Sequence, residues 1–144
     1  MSDRCDHSAI QDVIDRYFFA IDRLDQALLR TCFADDAHYT SDAGTLNMVS
    51  GDEIGNRLGR GGRYAHTSHI RGSQHIAIQG DTATADTFAV AYLVSSASAG
   101  GSILVRGLQY TDKLARGASG WAIVRRHHST KWQYQQTSVE MMRV

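Results

Sequence analysis

The chain has 144 residues, 42 % of them hydrophobic, with fifteen Lys or Arg set against fifteen Asp or Glu. A single domain of that length buries roughly 68–70 % of its unfolded surface, enough for one core without a metal or disulfide staple. The formal net charge of zero argues against nucleic acid or an anionic membrane as partner, because both select an uneven basic surface.

The N-terminal stretch MSDRCDHSAIQ has no apolar core of the signal-peptide kind. No apolar run approaches the ~20 residues of a membrane span, which predicts a cytoplasmic protein. Cys5 and Cys32 lack metal-ligand spacing and read as free thiols in a reducing compartment. Ser8 followed by Gln11 resembles a capping box. Ile10, Val13, Ile14, Tyr17, Phe18, Ile21 and Leu24 then recur at helical spacing along one face. Asp25 is placed to cap a short second helix running through Leu28, Leu29 and Phe33, before a brief strand at 37–40. Ser50 with Glu53 repeats the capping signal and opens a third helix that ends in the glycines at 59–62.

From Thr67 onward the character changes to β-rich segments. Four strands are predicted over 67–78, 82–97, 102–115 and 121–135, separated by turn signals at 79–81, 98–101 and 117–120. Helices first and sheet afterwards, without βαβ alternation, predicts one α+β domain over 1–144, with an antiparallel meander wrapped around helices on one face. There is no P-loop, no strand followed by GxGxxG and no HExxH, so no metal, nucleotide or flavin is expected. The GRGG at 59–62 is assigned no phosphate-binding role.

The segments AIDRLD (20–25), FADDAHY (33–39), SGDEI (50–54), SHIRGSQHIAIQGDTATADTF (68–88), GLQYTDKLAR (107–116) and GWAIVRR (120–126) resemble the SnoaL-like group. That group lies within the cone-shaped α+β superfamily named for nuclear transport factor 2. The branch that looks most similar contains hexachlorocyclohexane dehydrochlorinase, scytalone dehydratase and bile-acid 7α-dehydratase. The resemblance covers nearly the whole chain. It implies a cone-shaped α+β barrel, with N-terminal helices packed in a strongly curved antiparallel sheet, that acts as a homo-oligomer, a trimer being favoured over a dimer. The implied activity is a cofactor-independent lyase of dehydratase type, or an isomerase, on a small hydrophobic and cyclic molecule. The alternative is a non-catalytic binding or assembly subunit, such as a dioxygenase small subunit, because the same cone hosts both.

Carried over residue by residue, Asp22 matches the family's carboxylate and His69 its histidine, which together form a general base. On a helical wheel Asp22 lies about 100° from Ile21, at the margin of the apolar stripe. Alternation places Thr67, His69 and Arg71 on one face, up to a bulge expected near Gly72 and Ser73. His66 and His75 are the competing histidines, and Asp25 could share the duty of Asp22. Tyr17 stands where the dehydrochlorinase has a lysine, which tilts the chemistry from loss of halide toward loss of water; the competing role is plain core packing. Arg126 is expected inward, on the face of Ala122 and Val124, where a guanidinium needs an anionic partner or ligand. His128 and Thr130 share that face if the strand is regular. Phe18, Met48, Tyr92, Tyr110 and Trp132 complete the candidate cavity lining. The alanine row at 83, 85, 89 and 91 fits either a cavity wall or a contact between copies of the chain.

Overall fold

Helix α1 (Asp3–Arg23) lies against the concave face of a six-stranded sheet in a computed structural model that describes residues 3–96, 101–137, 140 and 142. It is followed by α2 (Gln26–Arg30), β1 (Phe33–Ser41), a 3-10 turn (Asp42–Gly44), β2 (Asn47–Met48) and α3 (Gly51–Leu58). The remainder is a meander of β3 (Tyr64–Gln79), β4 (Thr82–Ser95), β5 (Ile103–Gly117) and β6 (Gly120–Gln136). The expected turn at 98–101 lies outside the described residues apart from Gly101. Among the described residues no helix is long and apolar enough to cross a membrane.

The helical stripe is buried as its spacing predicts, with Ile10, Val13, Ile14, Tyr17 and Phe18 all at 4 % exposure or less. At ~1.5–3 kcal/mol per buried side chain, these five contribute on the order of 10 kcal/mol, as much as the whole net stability of a typical domain. Helix α1 is therefore an integral wall of the core. It starts five residues before the expected cap at Ser8. The extra turn is tied down by tertiary contacts: Asp6 accepts from Arg116 Nη1 at 2.6 Å and from Trp121 Nε1 at 3.1 Å. The other two caps form as predicted. Asp25 accepts from the Leu28 N–H at 2.9 Å, and Ser50 accepts from the Glu53 N–H at 3.1 Å.

The strand order is β2-β1-β6-β5-β4-β3. The four long strands pair antiparallel as expected, but β1 is nine residues long and lies parallel to β6. The sheet is curved and does not close, which lets α1 pack on both β3 and β6 although they stand three places apart. Among the described residues, three of the five register shifts decide the faces of the candidate residues. The first, between Arg71 and Gln74, falls where a bulge was expected. A Cβ on Gly72 there would come within 3.2 Å of the Phe88 carbonyl oxygen. The second inserts Val124 between Ile123 and Arg125, so Arg126 shares the inner face with Trp121 and Ile123 rather than with Ala122 and Val124. The third inserts Lys131 between Thr130 and Trp132, and turns Trp132 outward. The alanines of β4 face inward: Ala83, Ala85, Ala89 and Ala91 are all buried. Of the four, Ala91 borders the main cavity, and the others are packed in the core.

Candidate active site

Asp22 sits in the last turn of α1, and the way that helix ends aims it. The Asp25 N–H reaches back to the Ala20 carbonyl at 3.0 Å and the Leu24 N–H to the Ile21 carbonyl at 3.3 Å. This is the paired bonding of a Schellman stop. Its left-handed position is occupied by Leu24, φ 55°, where glycine is usual. Leu24 therefore leaves the apolar stripe, and it packs instead on Gly61, where a Cβ would come within 2.6 Å of Leu24 Cδ1.

Opposite Asp22, β3 presents Thr67 and His69 on one face. The His69 backbone N–H donates to Asp22 Oδ2 at 2.8 Å, and its ring Nδ1 lies 2.6 Å from Asp22 Oδ1. Thr67 Oγ1 also donates to Oδ1, at 2.9 Å. An ionised carboxylate only accepts, so Nδ1 carries the proton, and in the neutral ring Nε2 is left as the acceptor. Nε2 has no hydrogen-bond partner among the described residues. Burial by itself would raise the Asp22 carboxyl, but the bonds from His69 and Thr67 outweigh it and hold it below the ordinary carboxylate value. Phe18 stacks on the imidazole at 5.7 Å between ring centres and backs it from the core side.

The pair opens on a cavity of about 380 Å³ whose lining includes Tyr17, Tyr39, Ala91, Leu108, Tyr110 and His128. Its floor is aromatic and polar at once. The hydroxyls of Tyr17 and Tyr39 are 3.1 Å apart. Burial raises the Tyr17, Tyr39 and Tyr110 phenols despite a nearby arginine, so all three stay protonated. His128 stacks on Tyr110 at 5.1 Å. Burial first, then the charges of Arg126 and Arg106, bring its pKa down to about 4. Both of its ring nitrogens are shielded and lack a hydrogen-bond partner among the described residues. The neutral ring thus buries one donor and one acceptor that nothing among the described residues satisfies.

Arg126 lies beneath this floor. Its Nε and Nη2 donate to the two oxygens of Asp112 at 2.7 Å each, and both side chains have no exposure. Its guanidinium carbon is 4.2 Å from the Tyr17 ring centre and 4.6 Å from that of Tyr110. Burial would discharge it, but Asp112 keeps its pKa raised. The anionic partner that an inward arginine requires is thus a residue of the chain.

A model of the SnoaL-like domain matches residues 2–127. The chain belongs to the SnoaL-like domain family. Solved structures with the same fold include a hexachlorocyclohexane dehydrochlorinase of type 2, with a TM-score of 0.83 at 16 % identity over 95 % of this chain and 93 % of that one. A candidate scytalone dehydratase from Novosphingobium aromaticivorans DSM 12444 has a TM-score of 0.79 at 18 % identity, over 96 % of this chain and 94 % of that one. A nuclear transport factor 2-like protein from Salmonella enterica has a TM-score of 0.75 at 20 % identity, over 86 % of this chain and 92 % of that one. At such identities these likenesses show the fold alone. The chain matches no curated protein.

Within this SnoaL-like domain, Asp22, His69, Tyr17, Tyr110 and His128 meet around one cavity, with Arg126 and Phe18 directly behind its wall. Three other candidates do not join them. Met48 is fully buried in the core, and Tyr92 stands on the outer face of β4. Trp132 is 45 % exposed over Gly107, stacked on Tyr134. The Lys131 insertion explains the last, since regular alternation from Arg126 would have turned Trp132 inward. Thr130 keeps its inward position and lines a second cavity of about 300 Å³. Of the competing residues, His66 bonds Ser68 at the rim, His75 is exposed beyond the bulge, and Asp25 caps α2. Burial pushes the Cys32 thiol up to about 11, which leaves it inert as a nucleophile. Sequence reasoning missed Asp112 and Tyr39. Alternation with Leu108, Tyr110 and Leu114 already puts Asp112 on the inner face, directly across from Arg126.

Proposed function

We propose that this chain is a cofactor-independent lyase of dehydratase type, or an isomerase, that uses His69 as general base on a small cyclic molecule held in the cavity. The supporting observation is the double hold of Asp22 on His69. It fixes the ring and its tautomer, and leaves Nε2 as a proton acceptor in a largely apolar pocket. Nε2 takes a proton from a carbon beside an activating carbonyl, and the C–H electron pair forms the new double bond. In an elimination the β-hydroxyl then departs, protonated by the Tyr17–Tyr39 hydroxyl pair, and leaves as water; the imidazolium afterwards returns its proton to that pair. In an isomerisation the imidazolium returns the proton to another carbon. His128, held neutral, backs the cavity wall without adding a charge to it. A positioned base of this kind contributes about 10²–10⁴-fold.

The cavity is not filled by Phe18, Met48 or Trp132, which weighs against the scaffold reading. Outer-face aromatics, Tyr92, Trp132 and Tyr134, suit contact between copies of the chain, and a trimer is the expected assembly. The test of the base is exchange of the α-hydrogens of 2-tetralone for deuterium, followed by NMR in D₂O. His69→Ala and Asp22→Asn are expected to lose at least 100-fold of the protein-dependent rate. Near-native rates in both would sink the assignment.

A further inference from the structure

Three arginines and one carboxylate line the cavity, Arg57 and Arg63 at exposed positions and Arg106 and Asp22 half-buried. The Asp22 oxygens are committed to His69 and Thr67. Arg57 is answered by Glu53 at 3.4 Å. The other two guanidinium groups have no counter-ion among the described residues: Arg106 gives its Nε to the neutral amide of Gln133 at 3.1 Å, and Arg63 makes neither a hydrogen bond nor an ion pair. Arg106 also borders the second cavity, where the nearby acid, Asp42, is occupied by His127 at 3.0 Å and Ser129 at 3.2 Å. The wall between these cations is apolar, made by Leu24, Leu46, Leu58, Leu93 and Leu108. Their potential reaches the interior, since Arg106 is one of the charges that keep His128 from accepting a proton. Unpaired guanidinium groups beside an apolar pocket are matched to a carboxylate or sulfonate, which they hold by charge-assisted, often bidentate, hydrogen bonds.

We propose that the ligand of this cavity is a ring-sized apolar molecule bearing one ionised acid group, received by Arg63 and Arg106 while its ring lies on the aromatic floor. This deepens the reading of the cavity as a substrate site and names the substrate class. Neutral hydrocarbons and halocarbons are then poor ligands, and the acid group sets the direction in which the ring enters, with its reacting carbon toward His69.

Two fluorescent probes that differ only in a sulfonate test this on the full chain: 1-anilinonaphthalene-8-sulfonate and N-phenyl-1-naphthylamine. The sulfonate probe is expected to bind at least tenfold tighter at 50 mM salt, with most of that advantage lost at 500 mM. An Arg63→Gln/Arg106→Gln double variant should abolish the advantage and leave the neutral probe within twofold. Equal affinity of the two probes for the unaltered chain overturns the proposal, as does an advantage that survives the double substitution. If the double variant binds neither probe, the salt dependence in the unaltered chain and the single variant Arg63→Gln, at an exposed position, decide. His69→Ala should keep the discrimination, so a failed base assignment and a failed acid site are read separately.

Discussion

Asp22 holds His69 at two points, the backbone N–H at 2.8 Å and the ring Nδ1 at 2.6 Å, so one carboxylate fixes both the position of a strand and the tautomer of its histidine. Asp22→Asn keeps an acceptor for the backbone bond but offers an N–H donor toward Nδ1. The imidazole is then expected to move its proton to Nε2. Nitrogen–proton correlation NMR of His69 should show the tautomer change in a folded protein, alongside a 10²–10⁴-fold fall in deuterium exchange. An unchanged tautomer would contradict the positioning role.

Arg126 and Asp112 present a buried pair whose single and double substitutions should differ sharply. Removing one partner strands a charge in a place without water, at a cost of about 3–5 kcal/mol. Asp112→Asn or Arg126→Met alone should therefore unfold at much lower denaturant, while Asp112→Leu with Arg126→Met recovers most of the loss. Urea titration of the three variants checks this. Additive losses in the double variant would contradict the pairing.

His128 should give the fold a pH dependence above the carboxylate range. Its pKa falls from 6.5 to about 4 on folding, so the unfolded chain binds the proton first as pH drops. Stability is full above about pH 6.5 and declines toward pH 4, by on the order of 2–3 kcal/mol. The groups facing it are Arg126, Arg106, His69 and Asp42. Asp22 is lowered from 3.8, so its stabilising contribution, present above that value, is lost only below the same window. His128→Phe keeps the stack on Tyr110 and should flatten the melting temperature between pH 4.5 and 6.5.

Gly107 makes room for an aromatic on the outer face. A Cβ there would lie 2.1 Å from Trp132 Cε2, so Gly107→Ala must displace the indole. With Trp132 45 % exposed, the cost should be about 1–2 kcal/mol, with red-shifted tryptophan emission. Trp132→Ala in the same chain should remove most of that penalty, as a double-mutant cycle in urea would show.

The pairing of Asp22 with His69 was implied by the family resemblance, and two periodicities agree with it, the helical stripe with Asp22 at its margin and the alternation of Thr67, His69 and Arg71. Bulges hid much of the rest. Val124 and Lys131 each add one residue to β6, and each addition reverses the faces beyond it. Arg126 consequently kept its inward position in different company, and Trp132 lost the one expected for it. Ser8 failed as a cap because the contacts of Asp6 with Arg116 and Trp121, which no local signal reports, pay for another helical turn. Asp112 was legible from alternation alone and needed only to be set against Arg126.

Leu24 carries a consequence for how this chain can vary in length. An α-helix turns about 100° and rises 1.5 Å per residue, so the residue at which α1 stops acts as a protractor for Asp22. One residue inserted or deleted between Tyr17 and Leu24 would swing the carboxylate away from His69 without disturbing the composition of the helix. A substitution at exposed Phe19 can be absorbed, whereas a change of length would disconnect the pair. The turn at 117–120 does not aim Asp22, and insertions there should be tolerated better than at Gly80–Asp81, which Arg116 holds through the Gly80 carbonyl at 3.3 Å and the Asp81 carboxylate at 3.0 Å.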